Sequence, residues 1–447
     1  MQLSKQSNII RLVLGIICLA GLYLNYRAYS PGFINSDGFD QYQQALTGIY
    51  DDWHPPAMAV LWHFFIYIYN GSNLILLTQL GFLWLGIFYL SITFRNWWWY
   101  CLVFLFPLLP FVQNFAGYIM KDMHMALGWF CAVCILFHAM ISKRKLFWGE
   151  VLLSFFLIAY GTWVRINALP GVFTLCFLWC YVVFANASRR KHYLYTIAFI
   201  VTILLGQKVI SIYANPLKHY SENKLFQHDI TGVYVRTGES FYPKELFANP
   251  DYDTAYIRKH YHPGTFDMIW WNEDHLKINV IPDESTITAV RQAWIDAIMK
   301  HPGAYLAHRW DGFLYYMRVK TRVPPGVYAD FVIPNDFGIV SKHSRIRDVL
   351  MYLPRHWPNA VYLTPVFWMV FNLLLLAFVR IIKARPVKKV FKVLVLSSTL
   401  FQLPSFFIFQ VDDPFRYFYW NCIACTLAAM LFAADNLMKR MVHAGGR

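Results

Sequence analysis

Long apolar runs dominate the chain, and they constrain its fold more than any other feature. A helix needs roughly 17–25 consecutive apolar residues to cross the hydrocarbon layer of a membrane. Ten runs in the 447-residue sequence meet that requirement. Their approximate bounds are 9–28, 73–94, 97–115, 123–141, 146–164, 168–186, 193–213, 359–381, 390–411 and 416–436. We therefore predict an α-helical polytopic membrane protein with about ten transmembrane helices.

The composition excludes most other classes of protein. Only 15% of the residues are charged, whereas an ordinary soluble domain has roughly 25%. Apolar residues make up 57% of the chain, which excludes a disordered or collagen-like protein. All eight cysteines lie inside the apolar runs, where thiols behave as small hydrophobes, so the sequence predicts no disulfide framework.

The distribution of charge predicts the topology. The net charge is +15, and residues 214–356 contribute only +1 of it. Basic clusters follow even-numbered runs, at 143–145, 189–191, 383–392 and 439–440. The positive-inside rule places these clusters and both termini in the cytoplasm, so the excess charge requires no nucleic-acid partner.

Three regions follow from this topology. Residues 1–213 form an N-terminal module of seven spans, with a first outer loop at 29–56. Residues 214–356 form a mainly helical extracytoplasmic domain, with a helix over 286–300 that Ser285 caps. Residues 357–447 form a C-terminal module of three spans. The apolar stretch 56–70 is too short to cross a membrane and is predicted to lie at its interface. Since 214–356 contains no Asn-x-Ser/Thr acceptor, we expect a bacterial inner (plasma) membrane.

Acidic residues are rare outside 214–356, and their positions indicate a site. Seven of these nine carboxylates fall in three loops predicted to be extracytoplasmic. Carboxylates beside hydrocarbon are costly and usually functional. The densest group lies in residues 36–62, where Asp37 and Asp40 share one helix face and Asp52 and His54 precede two prolines. The alternative interpretation is a charged loop whose prolines begin the next helix.

Residues 36–62 resemble the first outer loop of GT-C glycosyltransferases, in particular the family 39 and RgtA/B/C/D-like members that use polyprenyl-phosphate sugars. In this chain Gly38 replaces the usual second acid, and Trp53 is inserted before His54. The residues that match the family motifs are Asp37, Gly48, Tyr50, Asp52, His54, Pro55 and Pro56.

Two later segments extend the resemblance. Asp122, in the segment 118–124, occupies the position of a second family acid; alternatively it is a helix N-terminal acid with Lys121 as its counter-ion. Arg416 follows Asp412 and Asp413 in a pattern similar to a late acidic-Arg-Tyr motif. Arg165 lies in another outer loop, where either phosphate contact or snorkelling to the interface explains a lone arginine.

The resemblance implies a GT-C-like bundle and an inverting glycosyltransferase. Its donor would be a polyprenyl-phosphate sugar, and its acceptor a surface glycan or lipid-linked glycan such as O-antigen. We assign Asp37 as the base, with Asp40 as the alternate, because a base must remove the proton of the acceptor hydroxyl. The residues that we expect to bind or orient substrate are Asp52, His54, Lys121, Asp122, Arg165 and Arg416.

Other functions remain open at this stage. One is a repeat-unit polymerase or ligase of lipid-linked glycans, and another is a non-enzymatic glycan flippase or transporter. No cofactor is predicted, and no metal motif has suitable ligand spacing. The alternative is a divalent cation held by Asp37, Asp40 and Asp122.

Overall fold

The computed structural model of the chain describes residues 2–246, 254–270, 282–320, 331–357, 360–407 and 415–444. Within these ranges the backbone is predominantly helical and contains no β-strand. The described helices are α1 Gln2–Tyr29, α2 Ser36–Thr47, α3 Ala57–Ile66, α4 Asn73–Ser91, α5 Trp97–Leu105, α6 Pro110–Ala116, α7 Lys121–Ile141, α8 Trp148–Trp163, α9 Leu169–Val183, α10 Arg189–Ala214, α11 Glu222–Thr237, α12 Thr254–His260, α13 Asp267–Trp270, α14 Glu284–Lys300, α15 Pro302–Tyr316, α16 Arg345–Leu350, α17 Tyr352–His356, α18 Pro365–Phe378, α19 Arg385–Phe407 and α20 Tyr419–Ala444. The prediction of a helical membrane protein is confirmed in this coarse form.

Fewer helices than ten are long and apolar enough to cross a membrane in the described part of the chain. Five qualify by length and composition, and α5 and α6 would add a sixth as one span bent by 50°. The bend falls at Leu109, whose extended backbone precedes Pro110. The remaining predicted spans form α8, α9, α18 and α19, and the short stretch 56–70 forms the ten-residue α3. The five qualifying segments are Asn8–Tyr29, Asn73–Ser91, Lys121–Ile141, Arg189–Ala214 and Phe415–Asp435.

Helix α7 is the centre of the bundle. Every residue from Asp122 to Ala139 is buried, and α7 packs against α4, α8 and α20. Gly161 of α8 allows this close packing, because a Cβ there would lie 2.6 Å from the Nε1 of Trp129. By contrast, α1 and α10 expose most of their apolar side chains, as expected for helices at a lipid-facing edge.

The polar segment has a hydrophobic core of its own, built from α11 to α14. The predicted helix over 286–300 is observed as α14, but its N-cap is Asp283 rather than Ser285. The Asp283 carboxylate accepts a 2.7 Å hydrogen bond from the backbone N–H of Thr286, and the Ser285 hydroxyl donates to the same carboxylate. A carboxylate is the stronger acceptor for these N-terminal N–H groups.

Candidate functional site

Backbone hydrogen bonds hold the segment that precedes α2 against the segment that precedes α7. The Phe33 N–H donates to Gly117 at 2.8 Å, and the Ile119 N–H donates to Phe33 at 3.0 Å. The side chain of Asn35 then caps α2 by accepting from the N–H of Gly38. This arrangement places Asp37 beside the N-terminal end of α7.

Asp37 forms an ion pair with Arg416. The Arg416 Nη2 lies 2.6 Å from the Asp37 Oδ2, and its Nη1 donates to the hydroxyl of Tyr118 at 3.3 Å. Burial disfavours the ionised form of Asp37, but the charges of Arg416 and its other basic neighbours, with the hydrogen bond from Arg416, together outweigh this effect, so the pKa of Asp37 lies below its ordinary value. The side chain of Asp37 retains 26% exposure. It can therefore meet a ligand.

Asp122 is bound by Arg165 in a deeper ion pair. The Arg165 Nη1 contacts the Asp122 Oδ1, and both side chains are less than a tenth exposed. Arg165 also stacks on the ring of Tyr417 at 4.4 Å from its centroid and donates to Asn167 at 2.7 Å. The snorkelling interpretation of Arg165 is therefore wrong, and so is the assignment of Lys121 as the counter-ion of Asp122.

Arg416 connects the two ion pairs, since its Nε lies 3.8 Å from the Asp122 Oδ2. We call the resulting group the rim cluster; it comprises Asp37, Lys121, Asp122, Arg165 and Arg416. It holds three basic side chains and two carboxylates. The excess of positive charge suits an anionic group such as a phosphate, which Arg and Lys bind through charge-assisted hydrogen bonds.

His54 lies between Lys121 and Asp37. The Lys121 Nζ donates to the His54 Nδ1 at 2.5 Å, while the Nε2 faces the Asp37 Oδ1 at 3.9 Å. Burial and the positive charge of Lys121 lower the pKa of His54 to about 3. The imidazole is thus neutral, with its proton on Nε2 and directed at Asp37.

Asp40 lies in a separate carboxylate pair, one turn further along α2. The amide of Gln44 donates to the Asp40 Oδ2 and to the Asp51 Oδ2, both at 2.9 Å. Burial, together with the negative charge of Asp51, raises the pKa of Asp40 to about 6. His219 approaches the same group, with its Nδ1 3.7 Å from Asp51.

Asp52 contacts the start of the polar segment rather than the rim cluster. Its carboxylate accepts a 2.7 Å hydrogen bond from the backbone N–H of His219 and lies 3.4 Å from the Nζ of Lys218. The neighbouring Trp53 packs on Trp270, with ring centroids 5.6 Å apart. The inserted tryptophan therefore joins the outer loop to the core of the polar segment.

The other departure from the family motif also has a structural reason. A Cβ at Gly38 would lie 2.8 Å from the Cγ2 of Ile34 and 3.3 Å from the carbonyl oxygen of Ile119. A second acid at this position would push α2 away from α7. The position therefore has no room for the acid that the family usually has.

A metal site finds no support in the described ranges. No three His, Cys, Asp or Glu side chains there are grouped to hold a metal ion. The carboxylates of Asp37 and Asp122 instead form ion pairs with Arg416 and Arg165. Asp40 lies apart from them and shares the amide of Gln44 with Asp51. The alternative of a divalent cation at Asp37, Asp40 and Asp122 thus has no geometric basis. Asp412 and Asp413 lie outside the described residues.

Several residues of the site were not assigned from the sequence. Tyr118 lies four positions before Asp122, and Tyr417 directly follows Arg416. Their closeness in sequence to these predicted site residues was the only indication that they belong to the site. Gln44 and His219 carried no such signal, because only the folding of α2 and the polar segment onto Asp51 brings them together.

Comparison with known protein families, with curated proteins and with solved structures found no match to this chain. The resemblance to GT-C enzymes therefore depends on the motif residues alone.

Proposed function

We propose that the chain is a GT-C-type membrane glycosyltransferase that transfers a sugar from a polyprenyl-phosphate donor to a surface-glycan or lipid-linked acceptor, such as O-antigen. The observation that carries the proposal is the rim cluster. It joins a partly exposed carboxylate to an excess of basic side chains at one end of a bundle of apolar helices. Ionisable side chains beside apolar helices are usually functional, and in this proposal the lipid phosphate and the acceptor hydroxyl meet there.

The proposed phosphate contacts are Arg416 and Lys121. Arg165 is committed to Asp122 by a buried ion pair, so its role is to hold Asp122 and, through it, the Nε of Arg416. His54 accepts from Lys121 and thereby orients that ammonium group. Positive charge at the leaving phosphate stabilises the negative charge that develops there in the transition state.

Asp37 is the proposed base. In the free protein its pairing with Arg416 makes it a weak one, because the lowered pKa disfavours proton uptake. A donor phosphate that draws the guanidinium of Arg416 to itself would raise the pKa of Asp37 and so increase its basicity. The acceptor hydroxyl then loses its proton to Asp37 as its oxygen attacks the anomeric carbon, and the polyprenyl phosphate departs with the bonding electrons. Asp40, whose pKa is about 6, is the alternate base.

The proposed topology keeps ten spans, with α8, α9, α18 and α19 crossing beside the longer helices and α5 with α6 forming one bent span. The rim cluster and residues 214–356 would then lie on the extracytoplasmic face of a bacterial inner membrane. Both ends of the chain would lie in the cytoplasm. The basic loop at 143–145 and the basic first turn of α10 at 189–191 support this orientation, because they lie at the opposite helix ends from Lys121 and Arg165.

The test compares surface-glycan mass profiles of the host bacterium carrying the wild-type gene, a deletion or Asp37→Asn. The control variant is Asp296→Asn, an exposed carboxylate that contacts only Gln292 among the described interactions. Protein accumulation is measured in each strain. Loss of one hexose- or pentose-sized mass in both the deletion and Asp37→Asn, but not in Asp296→Asn, is the expected result.

Two other outcomes would change the proposal. A glycan ladder that collapses to one repeat would indicate a polymerase or ligase. A normal profile in an accumulating Asp37→Asn protein, with glycan lost only in the deletion, would favour a flippase, since transport requires no base at Asp37.

A further inference from the structure

Two adjoining cavities lie at the helix ends opposite the rim cluster. The larger, of about 690 Å³, lies where α7 and α9 end and α10 begins. The smaller, of about 520 Å³, lies between α9 and the start of α19. Both are lined by Met140, Tyr181 and Pro386, so they form one groove, which we call the basic groove. Since α7 has 21 residues, about 30 Å separates this groove from the rim cluster.

The basic groove carries lysines and no acidic side chain. Lys143, Lys145 and Lys191 line the larger cavity. Lys388 and Lys389 line the smaller one, together with other basic residues of α19. Among the described ion pairs, none of these five lysines has a carboxylate partner within 4.0 Å. The groove therefore holds uncompensated positive charge.

Arg144 differs from these lysines because its charge is neutralised by a carboxylate. Its guanidinium also lines the larger cavity but is bound to Glu150 at 2.5 Å. Lys389 instead places its ammonium 2.8 Å from the centroid of the Tyr181 ring, a cation–π contact that leaves its charge unneutralised. An anion at Tyr181 would thus meet lysines on both sides.

The wall that α9 contributes to the smaller cavity is largely apolar. Phe173, Phe177 and Tyr181 succeed one another by four positions on α9, so they line one face of that helix. Leu396 faces them from α19. Phe173 and Leu396 are each 41% exposed, so the wall continues onto the lipid-facing surface of the bundle. From Tyr181 to Phe173 the wall runs about 12 Å along α9.

We propose that the basic groove binds an anionic phospholipid of the adjoining leaflet. The lysines around Tyr181 hold its phosphate, and one acyl chain lies along the wall between α9 and α19. Basic pockets between transmembrane helices are suited to such headgroups. A free phosphate would use the lysines but leave the apolar wall uncovered, and a neutral lipid would leave the lysines without a partner. The charge and the wall together therefore favour an amphiphile with a net negative headgroup.

The experiment uses the full chain purified in a mild neutral detergent. Its thermal unfolding midpoint is measured against increasing dioleoyl-phosphatidylglycerol, dioleoyl-phosphatidylcholine, inorganic phosphate or undecaprenyl phosphate. A ligand that binds the folded state raises the midpoint, and the stabilisation grows with the logarithm of one plus the ratio of the free ligand concentration to Kd. Native mass spectrometry counts the lipids bound in the same samples.

The groove variant is Lys388→Gln/Lys389→Gln. Its matched control is Arg380→Gln/Lys383→Gln, which removes two exposed charges at the same end of the bundle but outside both cavities. Lys143→Gln/Lys145→Gln tests the larger cavity through exposed loop residues, and it serves if the first variant does not fold.

Phosphatidylglycerol should raise the midpoint and phosphatidylcholine should not. For phosphatidylglycerol, each groove variant should show at least tenfold weaker apparent affinity, because a basic residue beside an anionic headgroup contributes about fivefold. The control should lose less than twofold, because Arg380 and Lys383 line neither cavity. Equal effects of the two phospholipids, or equal affinity in groove and control variants, would overturn the proposal. So would stabilisation by inorganic phosphate alone, or by undecaprenyl phosphate at a much lower concentration, if the groove variants weaken that effect and the control variant does not. Binding of either ligand at the rim cluster would be left unchanged by all of these variants.

Discussion

The guanidinium of Arg416 lies 2.6 Å from the carboxylate of Asp37, although 379 positions separate the two residues in the chain. The ion pair links α2 to the segment that precedes α20. Arg416 also approaches Asp122, whereas Asp37 pairs with Arg416 and faces the neutral His54. The two partners of this ion pair therefore differ in how much of the site depends on them.

We expect Arg416→Gln to destabilise the protein more than Asp37→Asn. Loss of the arginine leaves both Asp37 and the buried Asp122 short of a cation, at a cost of about 3 kcal/mol. Loss of the partly exposed Asp37 carboxylate should cost about 1 kcal/mol. Unfolding in detergent by chemical denaturant measures both variants and the double variant. Equal losses in the two single variants would contradict this account.

The buried pair of Asp122 and Arg165 leads to a second prediction. Arg165→Gln leaves a carboxylate with 2% exposure without its closest cation, so we expect a loss of about 3–5 kcal/mol. Arg165→Gln combined with Asp122→Asn should recover part of it, because an amide is less costly to bury than an unpaired charge. The unfolding midpoint measures the recovery. Arg189→Gln, which removes an exposed arginine on α10, is the control and should leave the midpoint unchanged.

The helices were predictable from the sequence because apolar runs and the helical period are local properties. The described part of each of the ten apolar runs contains a helix or a bent pair of helices. The number of spans was less predictable, since a run's length does not show where Pro110 bends it or where α9 ends after fifteen residues. Hydropathy depends on composition, whereas the bend or end of a helix within an apolar run depends on local backbone geometry.

The members of the rim cluster were predictable from the sequence, but their pairing was not. Asp37, Lys121, Asp122, Arg165 and Arg416 were all candidates, either because charges are rare beside apolar runs or because their positions resemble the family motifs. Which carboxylate meets which arginine depends on how α2, α7 and α20 pack, and the sequence does not encode this locally. Asp52 illustrates the limit, because its contacts with Lys218 and His219 arise only when the polar segment folds over the loop.

The raised pKa of Asp40 predicts a pH-dependent stability. Its carboxyl is protonated more readily in the folded state, with a pKa of about 6, than at the ordinary value of 3.8. The folded state therefore binds the extra proton between those values, and the stabilising effect is lost as the pH rises through 6. We expect Asp40→Asn to be more stable than wild type at pH 8, by about 1 kcal/mol, and indistinguishable from it at pH 4. Unfolding at both pH values tests this, and an unchanged difference between them would show that Asp40 does not titrate in this range.

Gly38 and Gly81 form a matched pair of test positions. A Cβ at Gly38 would lie 2.8 Å from Ile34 and 3.3 Å from the backbone of Ile119, whereas a Cβ at Gly81 of α4 would meet nothing within 4 Å. Gly38→Ala should therefore destabilise the protein by about 1–3 kcal/mol, because overpacking forces α2 away from α7. Gly81→Ala should be neutral or slightly stabilising, since alanine favours a helix over glycine by about 1 kcal/mol. The unfolding midpoints of the two variants measure the difference. Equal midpoints would mean that α2 can shift without loss, and the close approach of Asp37 to α7 would then not depend on the absence of a side chain at position 38.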